Sequence, residues 1–187
     1  MVTSYYSIDE LKTIGLKCIG KNVRISRYAN LYGADEIVIG NDVRIDDYVV
    51  LSGKIAIGNN VHIACYCGLF GSYGIELHDF AGLSARVLIY SATDDYSGKS
   101  LTNPTVPNKY RDVQGGRVIL SRHTIIGAGS IIMHSVTVGE GAAVGAMSMV
   151  VKSVNPWTIC MGSPARFVKE RSRELLDKEK SYLDSIT

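Results

Sequence analysis

Few side chains in this sequence can move a proton near neutral pH. They are His62, His78, His123 and His134, and an unperturbed imidazole titrates in that range. Beside them stands a carboxylate pair, Asp94 and Asp95, in the run Ser91-Ala92-Thr93-Asp94-Asp95-Tyr96. Such groups offer general base catalysis, hydrogen bonding to sugar hydroxyls, or pairing with an amine. The four cysteines, Cys18, Cys65, Cys67 and Cys160, make one C-x-C and no zinc-finger spacing, so they read as buried free thiols.

Composition narrows the partners. The 187 residues fit one domain. Twenty Lys and Arg against 18 Asp and Glu leave a net charge of +2, too little for nucleic acid to be expected. With 46% hydrophobic and 20% charged residues the chain is no disordered polymer. The start lacks a positive n-region and an apolar h-region, and no run reaches the roughly 18 apolar residues of a spanning helix. A cytoplasmic protein without membrane insertion is expected.

The elements that position these groups follow from a period of six. Ile19, Ile25 and Leu31 open a register that continues through Ile39, Ile45, Leu51; Ile57, Ile63, Leu69; Leu77, Leu83, Ile89; Leu120, Ile126, Ile132; and Val138, Val144, Val150. The residue after the slot is often Gly or Ala, as in Gly20, Gly40, Gly58, Ala64, Gly127, Gly139 and Gly145, which marks a corner. Small or β-branched residues four places after the first two slots of each turn suit a narrow interior. Three hexapeptides make one turn of a three-sided coil, and about six coils at 4.8 Å give a prism roughly 29 Å tall. Two-residue excesses at Ile37-Val38 and Ile75-Glu76 are expected between turns.

Both ends need caps, because a terminal coil exposes unpaired backbone groups. Ser7-Ile8-Asp9-Glu10 has capping-box spacing. Phe167, Leu175, Leu176, Tyr182 and Leu183 recur among charges toward the other end. The expected organisation is therefore an N-terminal cap over 1–18, a β-helix over 19–162 with a loop insertion at 94–117, and a C-terminal helix over 163–187. A long excursion from a regular solenoid is more often functional than accidental, so 94–117 is assigned to an acceptor site.

The repeats, the segments Ile126-Gly127-Ala128-Gly129-Ser130 and Val144-Gly145-Ala146-Met147-Ser148, and the ending Gly162-Ser163-Pro164-Ala165-Arg166 resemble the hexapeptide-repeat acyltransferases, especially galactoside- and maltose-type sugar acetyltransferases. The resemblance implies a left-handed parallel β-helix, a homotrimer, and acetyl-CoA as cosubstrate in clefts between prisms. It carries the CoA arm to Ala128, Gly145, Ala146, Lys152 and Arg166: small residues for close approach of pantetheine, cations for phosphates. In galactoside-type members the catalytic His stands where an ungapped match of Leu77 to Ala92 puts Asp94. With that imidazole absent, His62 is the best remaining base, with Asp94 or Asp95 orienting it, contacting the sugar, or acting as the base themselves. Tyr66, Tyr90 and Tyr96 are candidates to pack on the sugar ring.

Acyl transfer to a hydroxyl needs a positioned base, whereas an uncharged amine attacks a thioester without one. O-acetylation of a sugar in surface-polysaccharide assembly is the first expectation. N-acetylation of a nucleotide-linked amino sugar is the alternative. A trimeric β-helix carbonic anhydrase and a non-enzymatic scaffold are remoter; zinc would need three converging histidines, and the four here occupy non-equivalent repeat positions, so no metal is expected.

Overall fold

The structure, a computed structural model, describes residues 4–186; Met1 to Thr3 and Thr187, at the ends of the two expected caps, lie outside them. The chain winds as a three-sided parallel β-helix. Its first face stacks Arg24–Ile25, Arg44–Ile45, His62–Ile63, Gly82–Leu83, Ile125–Ile126, Ala143–Val144 and Thr158–Met161. The second stacks Asn30–Tyr32, the start of Val50–Ile57, the start of Gly68–Leu77, Leu88–Tyr90, Ile131–Ile132 and Met149–Val150. The third runs from Cys18–Ile19 and Ile37–Ile39 through the ends of the two long strands to Val118–Leu120 and Thr137–Val138, where Val138 bridges to Val154. The first face thus carries a seventh rung beyond the six coils of the register.

The aliphatic slots are the core. All but Ile19 and Leu31, in the terminal coil, are at most 3% exposed. Burying a Leu or Ile side chain contributes about 1.5–3 kcal/mol, and here the gain repeats at every rung. Ile37-Val38 and Ile75-Glu76 do not bulge out between turns. Ile37, Ile55, Ile75 and Val118 align as a further buried column, because the long strands carry the ladder around the corner between the second and third faces.

Each corner needs a residue in the left-handed region, which Gly, Asn and Asp adopt most readily. The corner between third and first faces uses Asn22, Asp42 and Asn60 there in the N-terminal coils, and Phe80, His123, Gly141 and Trp157 in the later ones. Its side chains also close the ladder: Oδ1 of Asn41, Asn59 and Asp79 accept the backbone N–H of Lys21, Asn41 and Asn59 in the coil above, at 2.8, 2.8 and 2.7 Å. Gly40 is required in this corner, since a Cβ would lie 2.6 Å from the Gly58 carbonyl oxygen.

Helix α1 (Ile8–Thr13) closes the first coil with Leu11 buried, and the Ser7–Glu10 capping box is present. Glu10 also takes both Arg27 Nη atoms, at 2.7 and 2.6 Å. The other end differs from the expected helix over 163–187. Arg166–Glu170 is an antiparallel strand on Thr158–Met161, which occupies the edge that the last rung would otherwise expose. Helix α2 (Leu175–Ile186) follows. Its Glu179 pairs with Arg122 and His123, and Tyr182 packs edge-on to Phe80. No helix of the described residues is long and apolar enough to cross a membrane. Cys67 and Cys160 are buried free thiols; Cys65 is half-buried and Cys18 exposed, because neither points into the aliphatic column.

Hydrogen bonds from Arg27 and the Ser7 backbone lower the Glu10 pKa to about 2. Its folded value lies below the unfolded one, so the stability this contact contributes is present above the ordinary glutamate range and is lost as pH falls toward 2. Carbon-detected NMR of the Glu10 carboxyl should show the low midpoint; titration near the ordinary glutamate value would refute the two-armed contact.

Candidate active site

The corner between first and second faces is built differently from the one closed by Asn and Asp. Where the chain leaves the first face it carries Ala64, Ser84, Gly127 and Gly145 in successive coils, followed by Cys65, Ala85, Ala128 and Ala146. Ala128 and Ala146 are exposed and the glycines half-exposed. Gly127 must be glycine, since a Cβ would sit 2.4 Å from the Ala146 nitrogen. Behind this strip two buried serines hold the backbone. Ser130 Oγ donates to the Gly145 carbonyl at 2.9 Å and accepts from Ser148 N, and Ser148 Oγ accepts from Gly162 N at 3.0 Å. The result is a rigid strip with little side-chain cover, suited to a flexible ligand arm lying along backbone. At the C-terminal end a groove of about 430 Å³ is lined by Lys152, Asn155, Cys160, Ala165, Arg166 and Phe167 among others. Lys152 and Arg166 therefore share one concavity, as phosphate binding requires.

The insertion leaves from the corner between second and third faces. Ala92–Thr93 and Gln114–Gly115 pair antiparallel as its stem, and Tyr73 packs against that stem: a Cβ on Gly115 would meet its ring at 2.5 Å. Asp95 is spent inside the loop. Its oxygens accept the N–H groups of Ser97, Lys99 and Ser100 at 2.7, 3.1 and 3.0 Å, and bonds from the Ser97 side chain and these amides hold its carboxyl below the usual range. A carboxylate so satisfied organises the loop and is a poor base. Asp94, half-exposed, accepts from Asn103 N through Oδ2 at 3.1 Å.

His62 Nε2 lies 2.8 Å from Asp46 Oδ2, and Arg44 Nε donates to Asp46 Oδ1 at 2.6 Å. Within one chain, then, Asp46 is the carboxylate that orients His62, and neither Asp94 nor Asp95 does so. Burial pushes Asp46 upward, but the bonds from His62 and Arg44 outweigh it and keep the carboxyl low. His62 sits on the first face, two residues before the small-residue strip, and none of the strip's own positions is a histidine. His123 is buried against Phe80 and Glu179; burial and the Arg122 charge lower its pKa. His78 faces Glu76, and His134 stands beside Ser135. Among the described residues no three His, Cys, Asp or Glu side chains converge as metal ligands do.

The three tyrosines expected around a sugar ring do not share a wall. Tyr66 stacks on Tyr48 at the first-to-second-face corner, Tyr90 stacks on Phe70 near the opposite edge of the second face, and Tyr96 projects from the loop at 92% exposure. Different corners of a prism point away from one another, which periodicity alone does not reveal.

Solenoid, small-residue strip, cationic groove and carboxylate-bearing excursion together define a transferase of the hexapeptide-repeat class. The sequence profile of the bacterial transferase hexapeptide family (six repeats) matches residues 36–71. The chain is 42% identical over 185 residues, covering 97% of it and 96% of the relative, to the dTDP-4-amino-4,6-dideoxy-D-glucose acyltransferase of Escherichia coli. The crystal structure of AntD, an N-acyltransferase from Bacillus cereus, in complex with dTDP and 3-hydroxybutyryl-CoA, matches with a TM-score of 0.97 at 50% identity over 99% of each chain. Solved variants of that enzyme include S84A and D94N. A Vibrio cholerae hexapeptide-repeat acetyltransferase, at 18% identity, TM-score 0.59 and coverage of 88% and 79%, shares the fold. The chain belongs to the hexapeptide-repeat acyltransferase family, whose β-helix is left-handed, and it is an acyltransferase.

Sequence reasoning passed over Ser84, which stands half-exposed in the strip directly between Ala64 and Gly127. Its signal was available: it is the one hydroxyl in a run of Ala and Gly. Asp95→Ala should loosen the excursion, read as faster limited proteolysis between 96 and 116, whereas Asp94→Asn should leave the cleavage rate near wild type. Equal protection in both variants would refute the organising role of Asp95.

Proposed function

We propose that this protein transfers an acyl group from a CoA thioester to the amino group of a nucleotide-linked sugar of the dTDP-4-amino-4,6-dideoxyglucose kind. The observation that carries the proposal is the near full-length likeness to the Escherichia coli dTDP-4-amino-4,6-dideoxy-D-glucose acyltransferase and to the Bacillus cereus N-acyltransferase AntD, a variant of which was solved in complex with dTDP-4-amino-4,6-dideoxyglucose and coenzyme A. This reverses the expected order of acceptors, in which a hydroxyl came first. Chemistry supports the reversal. No histidine stands in the small-residue strip itself, and an amine, once uncharged, needs no strong base to attack a thioester.

The strip through Ala128, Gly145 and Ala146 suits the pantetheine arm, and Lys152 and Arg166 in the groove suit the phosphates. Asp94 and Ser84 are assigned to the acceptor side; the same residue types bear the same numbers as those replaced in the AntD variants. A homotrimer is supported by an outward apolar column on the second face, Val50, Leu88, Ile131 and Met149, each only partly covered in the single chain. Three copies arranged around that face would bring the excursion of one against the small-residue strip of the next, so that Asp94 meets the strip in trans. An acylated nucleotide sugar is a donor for glycosyl transfer, which fits surface-polysaccharide assembly from cytoplasmic precursors.

Thiol release from acyl-CoA thioesters over a panel of neutral glycosides and nucleotide-linked amino sugars tests the acceptor class; release with glycosides and none with the amines would overturn it. His62→Ala should keep most of the wild-type rate on the amine. A fall of 10²- to 10⁴-fold in kcat would instead identify a general base and restore the His62–Asp46 pair as its seat. Arg166→Ala or Lys152→Ala should weaken thioester binding by about 1–2 kcal/mol with the melting temperature unchanged, since exposed charges contribute little to stability. Unchanged calorimetric affinity in both would reject the groove as the phosphate site.

A further inference from the structure

Behind the small-residue strip, the interior column of the same corner holds Ala29, Val49, Cys67, Val87, Ser130 and Ser148, one per coil. Ser130 serves the Gly145 carbonyl of the next coil, and Cys67 stands in the same relation to Ser84: its Sγ donates to the Ser84 carbonyl oxygen at 3.1 Å. Among the described residues nothing else donates to that carbonyl. Cys67 is 1% exposed, and burial pushes its thiol up to about 11, so the sulfur keeps the proton that it donates. The coils on either side have Val49 and Val87 at this place. Packing alone is met by valine, and the donor stands where the strip carries its one hydroxyl.

A planar trans peptide points its C=O and its N–H in opposite directions. The Ser84–Ala85 bond is trans, so a Ser84 carbonyl held against a buried thiol turns the Ala85 N–H outward. Among the described residues that N–H has no acceptor, and neither have its equivalents at Ala128 and Ala146. At the same place in the first coil the Arg27 N–H is taken by the Ser4 carbonyl, which lies outside the coil, at 2.8 Å. The Ser84 N–H is tied to the ladder, donating to the Ile126 carbonyl at 2.9 Å. Ser84 and Ala85, both half-exposed, therefore offer a hydroxyl and an N–H from a fixed backbone. When an amine nitrogen bonds to the thioester carbon, the carbonyl electron pair moves onto oxygen; it returns as the C–S bond breaks, and the sulfur leaves with the proton that the nitrogen gives up. A fixed N–H aimed at that oxygen stabilises the charge while it lasts.

We infer that Cys67 is a positioning residue for acyl transfer: by holding the Ser84 carbonyl inside the prism it keeps the Ala85 N–H and the Ser84 hydroxyl on the strip where the acyl carbonyl rests. The inference rests on the proposed function for the reaction and goes beyond it in naming the group that sets this geometry. Cys67 is buried behind the strip and touches no substrate, so its effect reaches the reaction only through Ser84 and Ala85.

The test compares Cys67→Ser, which keeps a donor, with Cys67→Val, which fills the place as Val49 and Val87 do, by kcat, KM for each substrate and melting temperature. Cys67→Val should lower kcat about tenfold or more, with both KM values within about twofold of wild type, and Cys67→Ser should keep most of the rate. A wild-type kcat in Cys67→Val would overturn the inference. Equal losses in the Ser and Val variants would overturn it too, since volume rather than the donor would then matter. If Cys67→Val melts well below the wild type, Cys67→Ala set beside Cys67→Ser decides in its place: equal kcat in the two refutes the role, and a lower kcat in the Ala variant alone supports it. A wild type that acylates neutral glycosides and not the nucleotide-linked amine would sink the proposed function, while the ratio of kcat between Cys67→Val and wild type on the glycoside would still judge Cys67.

Discussion

Everything in this molecule depends on the stacking of aliphatic rungs inside the prism. A parallel coil that must lay Ile or Leu over Ile or Leu at every rung has no freedom of register, because a slip of one residue would turn the aliphatic column outward. Ile45, Ile63, Leu83, Ile126 and Val144 on the first face are at most 3% exposed. Their fixed register places outward residues in columns as regular as the inward ones. A ligand on such a surface is met by a column, one side chain per coil, and the column's composition decides what it meets.

Two corners of one fold show how that freedom is used. Where the third face turns into the first, Asn41, Asn59 and Asp79 hydrogen-bond the backbone above. Arg122 then neutralises Asp79 and ties it to Glu179 of α2, with His123 on the same carboxylate. Where the first face turns into the second, the serines that hold the backbone lie inside, as Ser130 and Ser148, and the outer surface is left bare. Stability is supplied from within at the corner where chemistry is proposed, and from without at the corner that anchors the helix.

The solenoid was legible because hydrophobic period reports inward residues, and the capping box because its three-residue spacing is local. Arg166–Glu170 was not: every residue of that strand is exposed, so no alternation marks it and only its pairing with Thr158–Met161 defines it. Asp95 was legible as a carboxylate in a loop but not as the loop's organiser, since its partners Ser97, Lys99 and Ser100 come together only when the loop closes. The candidate residues Lys152 and Arg166 were brought into one groove, whereas Tyr66, Tyr90 and Tyr96 were scattered, because their spacings do not match the turn length. Tyr28, Tyr48 and Tyr66 do follow it, twenty and eighteen residues apart, and their rings stack coil on coil.

The residue at the exit to the excursion bears directly on acceptor chemistry. Galactoside-type relatives, by resemblance, carry an imidazole where this chain has Asp94. An imidazole titrates near neutral pH and can take a proton from a hydroxyl as the bond to carbon forms. A carboxylate is a weaker base than an imidazole and takes the proton of a hydroxyl less readily. Its charge and its acceptor oxygens nevertheless suit an amino group, which brings N–H donors and loses its extra proton near neutral or mildly alkaline pH. On the proposed reading the scaffold, the strip and the cationic groove serve thioester chemistry in either case. The choice between oxygen and nitrogen then falls to this one outward side chain, which the core does not constrain.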